Sequence, residues 1–143
     1  IEAKVQDASV PDPDSEGKAD LVIADLPCSG LGVLGKKTDL KYKASPEGTE
    51  GLVHLQRKIR NGVQSYVKPG GALIYSTCTV DQAENTGNLY WFLENHPEFK
   101  LDDINDRICP ELRGDVQDGG YIQLLPGIHK CDGFFIARLV RKA

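Results

Sequence analysis

The stretch Leu21-Val22-Ile23-Ala24-Asp25-Leu26-Pro27-Cys28-Ser29-Gly30 decides how this chain is read. Its first four residues form a continuous apolar run, the pattern of a parallel strand covered on both faces. The six that follow combine a carboxylate, a proline, a thiol and a glycine. The strand is therefore expected to end in a turn that presents Asp25 and Cys28 together. The arrangement recurs where Ala72-Leu73-Ile74-Tyr75 runs into Ser76-Thr77-Cys78-Thr79. Two strands each deliver a cysteine at the carboxyl end.

What lies between them sets their relation. From Gly30 to about Gly51 the chain is irregular, and loops of this length tend to be functional or mobile. A helix follows from about Glu50 to Val67, with Leu52, Leu55, Ile59, Val63 and Tyr66 at spacings of three and four. Lys68-Pro69-Gly70-Gly71 is read as its stop. A single helical crossover predicts that the two strands are adjacent and parallel, about 4.8 Å apart. Ligands of open α/β sheets bind outside the carboxyl ends of the strands, so Asp25, Cys28 and Cys78 are expected around one small volume. A cysteine at a strand end is also a good small buried hydrophobe, and packing is the alternative reading for either one.

Farther out, residues 1–7 alternate as a half-exposed strand would, and 8–19 carry turn chemistry around Pro11, Pro13 and Gly17. Asp81-Gln82-Ala83-Glu84 resembles a capping box that opens a helix to about Asn95, with Leu89, Phe92 and Leu93 toward the core. Phe99–Ile104 reads as a strand, followed by an exposed, acidic, Gly-rich insertion through Gly120. Tyr121–Leu125 and Gly133–Val140 then form an antiparallel hairpin at the sheet edge. The order predicts an α/β sheet that is parallel in its middle.

At 143 residues the chain is one domain's worth, and its net charge of −4 argues against a dedicated nucleic-acid-binding module while leaving room for a local basic patch. No apolar stretch approaches the roughly 20 residues that span a bilayer, so a cytoplasmic protein without a membrane partner is expected. Four cysteines (28, 78, 109 and 131) contain no C-x-x-C and stand among only three histidines, which argues for reduced thiols and against zinc. Cys109 and Cys131 are read as structural. The chain begins at Ile1 and contains no methionine, which predicts a piece of a longer polypeptide.

Asp25-x-Pro27-Cys28-Ser29-Gly30, then Ser76-Thr77-Cys78-Thr79 and Glu84-Asn85, resembles the Sun (Fmu) family of RNA cytosine-C5 methyltransferases, S-adenosylmethionine enzymes of the Nop/Sun group. The ending Leu124-Leu125-Pro126-Gly127 and Asp132-Gly133-Phe134-Phe135-Ile136-Ala137-Arg138-Leu139 is similar to that family's C-terminal hairpin. The likeness covers about residues 5–140. It implies a partial Rossmann-like class I methyltransferase fold, with parallel central strands and a C-terminal antiparallel hairpin, acting on ribosomal RNA. By the same resemblance Cys78 is the nucleophile and Cys28 assists product release. Asp25 lies against the target cytosine and the methyl end of the cofactor, and Asp7 lies near the adenine.

The chemistry accounts for these residue types. Cytosine C5 is a poor carbon nucleophile until a thiolate adds at C6. A carboxylic acid at N3 favours that addition. The family's Gly-rich first turn and its ribose-binding acidic residue are not in this chain, nor is its N-terminal RNA-binding domain. The resemblance thus implies the C-terminal part of a catalytic domain, with the N-terminal part of the same polypeptide as partner, residues 1–19 frayed or repositioned, and little activity in isolation.

Other features divide between function and solvation. Lys36, Lys37, Lys41 and Lys43 either contact RNA phosphates or solvate their loop, and Arg57, Lys58 and Arg60 are read as the polar face of their helix. His129 and Asp132 are taken as turn residues, and Tyr90 and Trp91 as packing. The competing functions are a non-catalytic RNA-binding or scaffolding piece, and a DNA cytosine-C5 methyltransferase piece in which Cys28 is the nucleophile.

Overall fold

The two apolar runs do pair, and everything else in the fold is built on that pair. The computed structural model describes residues 2–37, 39–40 and 45–143. Strand β1 (Ala19–Asp25) and strand β2 (Val67–Thr77) run parallel, with Leu21 opposite Ala72 and Asp25 opposite Ser76. The crossover between them is helix α1 (Pro46–Val63), extended by a 3₁₀ turn over Gln64–Tyr66. Ser45 opens α1: its Oγ accepts the Gly48 N–H at 3.1 Å, and Pro46 occupies the first turn, where a missing N–H costs nothing.

Helix α2 (Asn88–Asn95) is entered through a π-helical turn, Ala83–Gly87. Three short strands follow: β3 (Phe99–Leu101), β4 (Val116–Gln117) and β5 (Tyr121–Leu124). The last strand, β6 (Phe134–Arg141), inserts antiparallel beside β2, with Thr77 opposite Phe135. The sheet order is β1-β2-β6-β5-β4, with β3 on the free end of β6. The expected β5–β6 hairpin forms, but β6 lies in the middle of the sheet and β5 outside it.

Tyr75, Leu73, Phe135, Ala137 and Leu139 are buried with Ile59 and Val63 of α1 and Leu89 and Phe92 of α2. Tyr75 and Phe135 meet edge-on, ring centroids 5.6 Å apart. This one-sided core corrects the reading of β1 as a strand covered on both faces. Val22 and Ala24 face inward, but Leu21 is 47% and Ile23 65% exposed, because β1 is the edge strand of this sheet.

Further expectations shift for physical reasons. Lys68–Gly71 begin β2 rather than stopping the helix, which has already ended at Val63. The buried stripe of α1 runs through Val53, Gln56, Ile59, Arg60 and Val63, and Leu55 is turned outward. Arg60 is not a solvating residue. It is fully buried between the rings of Tyr75 and Phe92 at 4.4 and 4.9 Å, where burial pulls its guanidinium down from 12.5 to about 10. It still carries its charge at neutral pH. Arg57 lies over the Trp91 ring at 4.6 Å.

Residues 2–7 form no strand, and Val5 is fully exposed. The segment is tethered only farther on, where the Tyr66 hydroxyl accepts the Asp12 N–H at 2.6 Å and Gly17 N–H bonds Ser65 O at 2.9 Å. Among the described residues no strand pairs with 2–7, so their alternation finds no ladder. Strand Phe99–Ile104 shortens to Phe99–Leu101. Among the described residues no helix is long and apolar enough to cross a membrane.

Candidate active site

The register that sets Asp25 against Ser76 brings both strand ends to one place. Beyond β1 the chain stays tied to β2: Leu26 N–H bonds Ser76 O at 3.1 Å, and the Ser76 hydroxyl donates to Asp25 Oδ1 at 2.8 Å. Cys28 then lies beside Cys78, with the two Sγ atoms 3.3 Å apart and both side chains half-buried. Asp25, Cys28 and Cys78 are thus gathered as expected, with Asp25 the most exposed of the three.

The loop after Cys28 folds back onto Cys78. Gly30 takes φ of 70°, a left-handed conformation that favours glycine. It leads into a single 3₁₀ turn, Leu31–Val33. Gly32 N–H donates to Cys78 O at 3.1 Å, and Gly32 O accepts from Gly133 N–H at 2.8 Å. A Cβ on Gly32 would stand 2.2 Å from Gly133 O, so only glycine allows this three-way backbone contact. The start of β6 is thereby locked to both cysteine loops.

Burial, and next to it the hydrogen bond with Cys78, push the Cys28 thiol up from 9.0 to about 12. At neutral pH Cys28 therefore stays protonated, and either thiol can donate in the contact between the two sulfurs. A cavity of about 170 Å³ opens beside it, lined by Cys28, Ser29, Leu40, Ser45, Thr49 and Leu52.

Beneath the thiols lies a buried polar network that the sequence reading missed. Glu84, fully buried, accepts Ser29 N–H at 3.0 Å, Ser29 O–H at 2.5 Å and Gln56 Nε2–H at 2.8 Å. The expected capping box is half right. Asp81 Oδ1 accepts Ala83 N–H at 2.8 Å and Glu84 N–H at 3.2 Å, but the Glu84 side chain turns inward instead of reaching back to Asp81. The available signal was the polar pair Gln56 and Arg60, one turn apart on the face that buries Val53, Ile59 and Val63.

Asp7 is not brought to this site. Its carboxylate accepts Ser9 N–H at 2.8 Å, which lowers its pKa, and it is exposed. The next residue, Ala8, lies near Gly62 at the far end of α1, whereas the cysteines lie at the end where α1 begins. The cause is the one that leaves 2–7 without a strand: among the described residues nothing carries the segment alongside β1. Of the loop lysines, Lys36 is paired with Asp132 at 2.6 Å and Lys37 is exposed, while Lys41 and Lys43 lie outside the described residues. The His129 ring accepts Leu125 N–H at 2.8 Å. Cys109 and Cys131 are exposed rather than structural. Among the described residues no three His, Cys, Asp or Glu side chains converge as a metal site would need.

Residues 1–140 match the family model described as 16S rRNA methyltransferase RsmB/F. The chain belongs to that family. It is 39% identical over 124 residues to the probable ribosomal RNA small subunit methyltransferase B of Bacillus subtilis, covering 86% of this chain and 28% of that one. Among solved structures it superposes on PH0851 with a TM-score of 0.77 and 35% identity, over 87% of this chain and 27% of the other. It also matches NSun6 from Pyrococcus horikoshii, solved with SFG, at a TM-score of 0.70 and 28% identity, over 88% of this chain and 31% of the other. The fold is therefore the Rossmann-like class I methyltransferase fold, in its β1-β2-β6-β5 portion. RsmB/F methyltransferases use S-adenosylmethionine. The chain spans little more than a quarter of the length of the curated relatives it matches.

Proposed function

We propose that this chain is the base-handling part of a catalytic domain that methylates C5 of cytosine in small-subunit ribosomal RNA. The observation that supports this most is the pair of thiols 3.3 Å apart at the carboxyl ends of adjacent parallel strands. One sulfur must bond to carbon while a second proton-carrying group stays within reach, and two touching cysteines meet that need.

Cys78, reacting as thiolate, adds its sulfur to C6, and the electron pair of the C5–C6 double bond moves onto C5 and the ring. S-adenosylmethionine supplies the methyl group that C5 takes up. The Cys28 thiol, protonated in the resting chain, lies against the Cys78 sulfur before addition. To act in the release step Cys28 must first give its own proton to solvent. Burial, the larger cause of its raised pKa, opposes this, while bonding of the Cys78 sulfur to carbon weakens the smaller cause, the thiol–thiol contact. Cys28 then accepts the C5 proton, the C5–C6 double bond re-forms, and Cys78 leaves as thiolate. Asp25, exposed at the rim, would offer its carboxyl group to ring N3 and to the methyl end of the cofactor. The contacts for adenine and ribose are not among the residues that this site gathers. A base flipped out of its stack would have to reach Cys78, and the cavity beside Cys28 adjoins that sulfur.

The test uses the longest natural polypeptide that carries this chain, with labelled S-adenosylmethionine and 16S rRNA. Cys78→Ala is expected to abolish transfer to C5. Cys28→Ala is expected to leave an RNA–protein adduct that survives denaturing gel electrophoresis. Normal turnover by Cys78→Ala overturns the reading. An adduct formed by Cys78→Ala instead would assign the nucleophile to Cys28.

A further inference from the structure

The two cysteines lie on different strands, yet one turn supplies a group that holds each of them, with Gln56 of α1 assisting on the Cys28 side. On the Cys28 side, Gln56 Nε2–H donates to Pro27 O at 2.9 Å, and Glu84 accepts both the N–H and the O–H of Ser29. Cys28 is therefore fixed at the residue before it and the residue after it. On the Cys78 side, Asn85 Oδ1 accepts the Thr77 hydroxyl at 2.6 Å, and Asn85 Nδ2 donates to Thr79 O at 3.0 Å and to Gln123 Oε1 at 2.7 Å. Cys78 too is fixed on both flanks. The halves are joined where the Thr79 and Ser29 hydroxyls meet at 2.8 Å. The Ser29 proton is committed to Glu84, so Thr79 is the donor there.

Consecutive residues of an α-helix point about 100° apart, and one turn seldom aims two neighbours at the same target. Here the turn is π-helical: Gly87 N–H bonds Gln82 O, five residues back, at 2.8 Å. More residues per turn means a smaller angle between neighbours, and both side chains reach inward, 0% and 1% exposed. The Tyr75 hydroxyl donates to Glu84 O, and Arg60 stacks on the Tyr75 ring, so the turn itself is held from the core.

We propose that Glu84 and Asn85 are the positioning pair of this site, Glu84 setting the Cys28 loop and Asn85 the Cys78 strand end, so that one π-helical turn fixes the separation of the two sulfurs. This rests on the reading that the thiols carry the chemistry. Neither residue touches the reacting atoms.

The hydrogen-bond roles make the two positions respond oppositely to exchange of amide and carboxylate. At 84 an amide is tolerated: its oxygen accepts Ser29 N–H and Gln56 N–H, and its NH₂ donates to Ser29 Oγ, whose proton can turn toward Thr79. At 85 a carboxylate is not tolerated. It would set a charged oxygen against Thr79 O and Gln123 Oε1 with no proton between them.

The first test reads the thiols directly and does not depend on methyl transfer: iodoacetamide alkylation of Cys28 at pH 8 in the longest natural polypeptide that carries this chain, followed by peptide mass spectrometry. Glu84→Gln is expected to leave the rate within about twofold, whereas Asn85→Asp, Glu84→Ala and Ser29→Ala are expected to raise it by about tenfold, as the Cys28 sulfur is released from its half-buried contact with Cys78. The second test is turnover in the longest natural polypeptide carrying the chain. Glu84→Ala and Asn85→Asp are expected to lower kcat by about 100-fold, with KM for RNA within about threefold, and Glu84→Gln is expected to restore most of it. Should the buried variants fail to fold, Ser29→Ala decides, because it removes only the hydroxyl that links Glu84 to Thr79. An unchanged Cys28 rate in Ser29→Ala, or equal effects of Glu84→Gln and Glu84→Ala, would overturn the proposal. Shifted thiol rates in a polypeptide that does not methylate RNA would keep the positioning pair and reject the chemistry.

Discussion

The site at the carboxyl end of strand β1 and the outer face of the same strand are built in opposite ways. At its carboxyl end, polar groups are buried and partnered: Ser76 on Asp25, Glu84 on Ser29, Asn85 on Thr79. Along its outer side, apolar groups are exposed, Leu21 at 47% and Ile23 at 65%. The contrast shows where positional accuracy comes from. Buried hydrogen bonds are directional and cost much when broken, so they locate a sulfur closely. An apolar side chain facing water places nothing.

Three substitutions probe that contrast by urea unfolding. Phe135→Ala should have the largest effect, about 3–5 kcal/mol, because the ring is fully buried against Tyr75 and Tyr121 directly under the site. A loss below about 1 kcal/mol would mean that this core is loose. Gly32→Ala comes next, at about 1–3 kcal/mol, since its methyl must push the Gly133 carbonyl out of the contact with both cysteine loops. Faster Cys28 alkylation is expected to accompany it. Ile23→Ser should be the smallest, within about 0.5 kcal/mol, because its side chain has little cover to lose. A cost near that of Phe135→Ala would show that the outer face of β1 is covered in solution, and the contrast would then collapse.

How much was legible in the sequence depended on how local each cause was. The P-C and T-C turns were legible because apolar runs ending in Pro27-Cys28 and Thr77-Cys78 declare strand ends whatever packs on them. The adjacency of the strands followed from a single helical crossover. Arg60 was misread because a cation on an amphipathic helix normally faces water, and only the rings of Tyr75 and Phe92, brought from elsewhere, make a buried seat for it. Glu84 was half read: its neighbour Asp81 caps as the pattern says, but the inward turn of Glu84 needs Ser29 and Gln56 beside it, and both are remote in sequence. The strand at 1–7 failed for a related reason. Alternation shows that a segment can pair, and the partner has to be supplied by the fold.

The sequence by itself determined the chemistry at hand: two cysteines, each on a strand end, with a carboxylate beside one of them, because strand runs and turn residues act within a few positions of the chain. Only the tertiary structure decided that the sulfurs lie 3.3 Å apart, that burial raises the pKa of Cys28, and that Glu84 and Asn85 of one turn reach the loops of both cysteines. Distances and burial are set by which remote segments meet, and a side chain's donors and acceptors acquire a role only once their partners are in place.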